Sequence, residues 1–157
     1  MKNISYHKAT HADIETLVDF RIKFALELTG EKTEQEINDL KIQMTDYFSR
    51  ATAENKCISF IAECEGVTAG IGSVQIREQP GNFKNPSGKW GYIMNMYTAP
   101  PFRKNGICRN ILDKLISDAA NSGITAFELH ATKQGESVYK QNGFEIHNEP
   151  TYRKFIQ

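Results

Sequence analysis

The residues of this 157-residue chain best suited to chemistry lie together: Arg103, Lys104, Asn105, Gly106, Ile107, Cys108 and Arg109. They stand between a strand-like run, Met94 to Thr98, and an apolar periodic stretch that begins at Ile107. A helix start presents unpaired backbone N–H groups and the positive end of a dipole. Gly106 lets a ligand approach that backbone closely, and Arg103, Lys104 and Arg109 add positive charge at the same corner. Physically this is an anion site, and a diphosphate is its natural occupant. On spacing alone, an ordinary strand–helix turn with solvated charges reads equally well. Two other phosphate loops are excluded. Gly70-Ile71-Gly72 lacks the third glycine of a dinucleotide fingerprint and precedes no helix, and Gly88-Lys89 is followed by Trp90 rather than Ser or Thr.

The elements that must position this turn follow from periodicity. A strand is expected over Ile4 to Lys8, and Thr10 with Asp13 reads as a helix start. Ile14, Leu17, Val18, Phe24, Ala25 and Leu28 recur at helical spacing, and Gly30 stands where a C′ glycine belongs. Thr33 and Glu36 form a second capping box ahead of Ile37, Leu40, Met44, Tyr47, Phe48 and Ala51. Cys57 to Cys64 and Val67 to Ile76 predict a hairpin about Glu65-Gly66. Glu78 to Lys89 is a loop, and Trp90 to Thr98 is a strand stopped by Pro100-Pro101, since proline cannot donate to a ladder. A third helix runs from Ile107 to Gly123, a strand covers Ile124 to His130, and a short helix ends near Asn142-Gly143. Phe144 to Ile156 is expected to carry one or two final strands. The order is β-α-α-β-β-β-α-β-α-β, an α/β (α+β) domain spanning residues 1–157.

Nineteen basic residues balance nineteen acidic ones, so no global field draws the chain onto nucleic acid or an anionic membrane. No stretch reaches the ~18 apolar residues of a membrane helix, and the opening twelve residues hold no apolar run of the kind a secretory leader needs. Cys57, Cys64 and Cys108 have neither framework nor zinc spacing, which fits reduced thiols in the cytoplasm and no metal site.

The stretch Tyr92-Ile-Met-Asn-Met-Tyr-Thr-Ala-Pro-Pro-Phe-Arg-Lys-Asn-Gly-Ile-Cys108 resembles the acetyl-CoA-binding motif of the GNAT superfamily of N-acetyltransferases. That motif reads Arg/Gln-x-x-Gly-x-Gly/Ala and is matched by Arg103, Gly106 and, imperfectly, Cys108. About thirty residues on, Tyr139-Lys-Gln-Asn-Gly-Phe144 is similar to the superfamily's second signature, a tyrosine four residues before Gly-Phe. The resemblance implies a central mixed, mostly antiparallel sheet of six to seven strands with about four helices. It also implies transfer of acetyl from acetyl-CoA to a primary amine of a small molecule or peptide. A non-catalytic acyl-CoA-binding module, or transfer of a larger acyl group, is the alternative.

On this resemblance the N–H of Met96 polarises the thioester carbonyl, the N–H of Thr98 pairs with a pantetheine amide, and the backbone near Tyr97 lies along the same arm. The backbone from Arg103 through Lys104, Asn105, Gly106, Ile107 and Cys108 to Arg109 wraps the pyrophosphate. Tyr139 occupies the position of the general acid that protonates the CoA thiolate. Thr132 and Gly135 stand where the family often has asparagine and alanine, and Cys108 where it has glycine or alanine. A homodimer is common among relatives and compatible with this chain.

The acceptor side is less specific. Arg21 lies inside the apolar stripe between Val18 and Phe24, either as a snorkelling side chain or as a substrate-facing arginine that favours a carboxylate. Phe24, Glu27, Asn95, Tyr97 and His130 are further candidates for the cleft wall. Met94 stands where many relatives carry a glutamate. No cysteine is flanked by a plausible base, so direct attack of the amine is expected rather than an acetyl-enzyme.

Overall fold

The computed structural model describes residues 3–157. Its first strand, β1, is Ile4–Lys8. The Thr10 N–H donates to Asp13 Oδ2 at 2.8 Å, and a short 3₁₀ turn leads into helix α1, Ile14–Thr29. Gly30 ends it as the C-cap residue at φ 83° and ψ −171°, a conformation open almost only to glycine. Helix α2, Glu34–Ala53, opens on the reciprocal box expected from its sequence: the Thr33 N–H donates to Glu36 Oε2 at 2.8 Å and the Glu36 N–H to Thr33 Oγ1 at 3.1 Å.

Strands β2 (Cys57–Cys64) and β3 (Val67–Glu78) form the hairpin. Glu65 and Gly66 have φ 51° and 81°, the two positive values a type I′ turn requires. Strand β4 is Lys89–Thr98, helix α3 is Ile107–Asn121, β5 is Phe127–Leu129 and α4 is Glu136–Gln141. The sheet order is β1-β2-β3-β4-β5. All neighbours are antiparallel except β4 and β5, which the α3 crossover makes parallel.

The sheet has five strands among the described residues, not six to seven, because the strands expected over Phe144–Ile156 do not form. Pro150 interrupts that run, β5 offers only a three-residue edge, and Ile146, Tyr152, Phe155 and Ile156 stand exposed with no layer over them. No described helix is long and apolar enough to cross a membrane.

Each sheet face buries its own core. On one side Leu17, Val18, Phe20 and Phe48 from α1 and α2 pack on Ile61, Ile71 and Tyr97. On the other, Ile107, Ile111, Leu112 and Leu115 of α3 pack on Ile58, Ala62, Val74 and Ile93. Gly72 lets α3 lie close. A Cβ there would fall 2.4 Å from Met96 Sδ and 2.5 Å from Ile111 Cγ2.

Candidate active site

Strand β4 builds the site through two irregularities. Its pairing to β3 jumps from Ile71↔Tyr97 to Ser73↔Met94, so three steps of β4 oppose two of β3. Asn95 absorbs the extra residue at φ 58°, a β-bulge. On the other edge, β4 pairs with β5 only from Gly91↔Phe127 to Ile93↔Leu129. From Met94 to Thr98 that edge has no neighbouring strand among the described residues, because β5 ends at Leu129.

The open edge leads into the turn. Lys104 and Gly106 have φ 64° and 74°, and no side chain caps α3. The first bond into the helix runs from the Asn110 N–H to the Gly106 carbonyl at 3.0 Å, which leaves the amides ahead of it facing out of the helix end. Asn105 braces the turn from within by donating Nδ2 to the carbonyls of Phe102 (2.9 Å) and Arg103 (3.1 Å). Ile107 is buried against β3, where a Cβ on Gly70 would fall 2.8 Å from its Cγ2. Lys104 and Arg109 are exposed. Free amides, a left-handed glycine and two exposed cations fit the pyrophosphate of CoA.

Arg103 takes a different post. Its Nε donates to the Thr98 carbonyl at 2.9 Å and its guanidinium to both oxygens of Glu27 at 2.8 Å, while lying 5.6 Å from the centre of the Tyr97 ring. That side chain faces α1, and only the backbone of Arg103 remains with the turn. Tyr97 packs edge-on to Phe20 at 6.0 Å and against Phe24 at 5.6 Å. Arg103, Tyr97, Phe24 and Glu27 thus form one joint between α1 and the end of β4. The Arg103 hydrogen bond holds the Glu27 carboxyl below its ordinary value, while burial and then Glu27 push the Tyr97 phenol up.

Tyr139 lies within α4 and is buried against the α3 side of the sheet. Its hydroxyl lies beside the Cys108 thiol at the start of α3, and its ring meets Phe144 edge-on at 6.0 Å. Burial, then the neighbouring thiol, drive the Tyr139 phenol far above its ordinary value. Burial also pushes the Cys108 thiol up, so it is protonated near neutral pH. Gly135 makes room for the ring: a Cβ there would stand 2.9 Å from Tyr139 Cε2 and 3.5 Å from Thr132 Oγ1. Tyr139, Cys108, Thr132 and Gly135 therefore share one corner.

Asn95 is 3% exposed and neither end of its amide has a partner. Arg21 is half-buried on α1, close enough to act on the buried Cys57 thiol and the Tyr47 phenol. His130 meets Tyr92 edge-on at 5.8 Å, and Arg77 lies 3.7 Å above the Tyr92 ring. Sequence reading missed Arg77, Tyr92 and Tyr47. The period-2 alternation of Gln75 with Arg77 and of Trp90 with Tyr92 is the signal that places Arg77 and Tyr92 on one sheet face, whereas Tyr47 comes from α2.

An acetyltransferase (GNAT) domain model matches residues 28–157. The fold is similar to that of a predicted acetyltransferase from Clostridium acetobutylicum with acetyl-CoA. That protein is 32% identical, the match covers 97% of this chain and 96% of that one, and the TM-score is 0.88. A GCN5-related N-acetyltransferase from Ralstonia eutropha JMP134 is 21% identical, with 97% and 99% covered and a TM-score of 0.84. A glucosamine-6-phosphate N-acetyltransferase from Arabidopsis thaliana is 18% identical, with 98% and 99% covered and a TM-score of 0.68. Among curated proteins there is no significant match. The unpaired β4 edge, the uncapped turn and the domain match agree: the chain belongs to the GNAT family of acetyl-CoA-dependent acetyltransferases.

Proposed function

We propose that this enzyme moves the acetyl group of acetyl-CoA to a primary amine by direct attack, without a covalent acetyl-enzyme. The observation that carries the reading is the unpaired β4 edge from Met94 to Thr98, leading at one end into the uncapped α3 turn, where Tyr139 stands beside Cys108. An edge of extended backbone with no neighbouring strand can accept an extended amide-bearing arm as a substitute strand.

In this reading the amides of the 103–109 turn hold the pyrophosphate, the Thr98 N–H pairs with the arm and the Thr132 hydroxyl supports it. The Met96 N–H, next to the bulge, donates to the thioester oxygen as charge develops there. The amine's lone pair forms the new C–N bond, the C–S bond breaks, and the electron pair leaves on sulfur. Tyr139 meets that thiolate. Its phenol stays protonated at neutral pH, and lies above the ~8.5 of a free thiol. It therefore serves best as a hydrogen-bond donor to the departing sulfur, with any proton it yields replaced by the one the amine loses. Three free cysteines fit a reducing cytoplasm, and no step requires a metal.

A panel of amines with acetyl-CoA, followed by thiol release and by the mass of the product, tests the reading. A 42-Da gain (about the mass of one acetyl group) on an amine nitrogen, matched to thiol release, is the expected result. Binding of acetyl-CoA with no amine acetylated contradicts it.

A further inference from the structure

The sheet face under α1 and α2 carries a group of hydrogen-bond donors that the transfer chemistry does not use. On β3, Gln75 and Arg77 point to this face, and the Arg77 Nε donates to Gln75 Oε1 at 2.8 Å. On β4, Tyr92 lies beneath the Arg77 guanidinium at 3.7 Å, with its carbonyl-side neighbour Met94 two residues nearer the bulge. From above come Arg21 of α1 and Tyr47 of α2, with Gln75 beside the Tyr47 hydroxyl but outside hydrogen-bond geometry.

Arg77 is exposed, but two features distinguish the group around it. First, Arg21 and Arg77 both act on the same Tyr47 phenol, and Arg21 also acts on Cys57, which is 3% exposed. Arg21 is partly buried on α1, within electrostatic reach of both groups. Among the described residues neither arginine is paired with a carboxylate, whereas Arg50 and Arg103 both are. Second, the Tyr47 hydroxyl is buried without a partner, and so is the indole N–H of Trp90, which precedes Tyr92 on the same face of β4. A buried donor without an acceptor costs roughly 1–3 kcal/mol; what each group lacks is an acceptor, and an anion is the strongest one.

Resting on the acetyl-transfer reading above, we propose that the acceptor is an amine that also carries a carboxylate or phosphate, bound by Arg21 and Arg77. Arg77 is already oriented, since Gln75 holds its Nε and the Tyr92 face holds its plane, leaving the guanidinium edge for a two-pronged contact. Tyr92 and Asn95 are three residues apart, about 10 Å along a strand. An acceptor that reacts near the bulge while its anion lies beside Tyr92 spans about that length, which suits a small molecule. A polycationic amine meets two arginines here and is disfavoured by the same geometry.

The test compares matched amines with purified protein and acetyl-CoA: one bearing a carboxylate, its neutral amide, one bearing a phosphate, its dephosphorylated form, and a polyamine. The expected result is a kcat/KM at least about tenfold higher for an anionic member than for its neutral counterpart. Whether the carboxylate or the phosphate pair shows the gap identifies the anion. Arg21→Gln and Arg77→Gln should each raise the anionic amine's KM about tenfold or more and collapse the preference, with acetyl-CoA affinity by calorimetry unchanged. Arg21→Lys and Arg77→Lys, which keep the charge, should recover part of it. Equal rates for charged and neutral partners, faster polyamine turnover, or glutamine variants with an unaltered KM each overturn the proposal. Thiol release with none of the amines, despite bound acetyl-CoA, overturns the transfer reading itself and this proposal with it.

Discussion

Arg103 and Glu27 are 76 residues apart in sequence and joined by two hydrogen bonds of 2.8 Å. The arginine that matches the acetyl-CoA motif therefore spends its side chain on α1, and its third bond, to the Thr98 carbonyl, fixes the end of β4 to the same joint. The turn's position depends on α1, an element far from it in the chain.

Replacing Glu27 by Gln should loosen this joint. The two side chains are 30% and 37% exposed, so the pair contributes no more than about 1 kcal/mol. That corresponds to a Tm loss of roughly 2–4 °C at pH 7. The folded carboxyl titrates below its unfolded value, so the contribution is present above about pH 4.3 and fades as pH falls through the folded value. Thermal melts of both proteins from pH 7 to pH 3 should converge at the acid end. Equal melts at pH 7 would show the joint to be inert.

Tyr139→Phe removes the hydroxyl beside Cys108 and keeps the ring that packs on Phe144. Loss of a proton-handling group costs on the order of 10²-fold or more in rate. The loss should fall on kcat while acetyl-CoA affinity changes little. A raised acetyl-CoA Kd with kcat intact would make the residue a packing group. Because burial holds the phenol protonated, its ionisation should not appear in the kcat profile below about pH 10, the ordinary phenol value.

Gly135→Ala is a sharper probe of the same corner. The added methyl would stand 2.9 Å from Tyr139 Cε2, closer than carbon contacts allow, so the ring must shift. Steady-state kinetics should show kcat reduced several-fold or more with a Tm change of only a few degrees. Unchanged kcat would mean the ring yields without consequence.

Cys108 sits beside Tyr139 yet is held protonated by burial. Intact-mass measurement after mixing with acetyl-CoA should find no acetyl group on the protein, and Cys108→Ala should keep most of the turnover. An acetyl-thioester on Cys108 that disappears in the alanine variant contradicts direct attack.

Local chemistry was the legible part of this chain. The Thr33–Glu36 box, the Glu65-Gly66 turn and the Gly106 turn depend on residues within three or four positions of each other, and each formed as its sequence implies. The bulge at Asn95 was not legible, because one extra residue inside an apolar run leaves the period-2 pattern intact on both sides. The partner of Arg103 lies on α1, and side-chain pairing across that distance is decided only once the sheet is packed. The alternation in residues 144–157 misled for a related reason. A strand pattern needs an edge to pair with, and β5 supplies only three residues.

Initial velocities with acetyl-CoA and a productive amine, each varied against the other, test the central claim most directly. Direct transfer along the unpaired β4 edge requires both substrates to be bound together, so double-reciprocal plots should intersect. Parallel lines, with an acetyl group retained on the protein after CoA has left, would contradict the account.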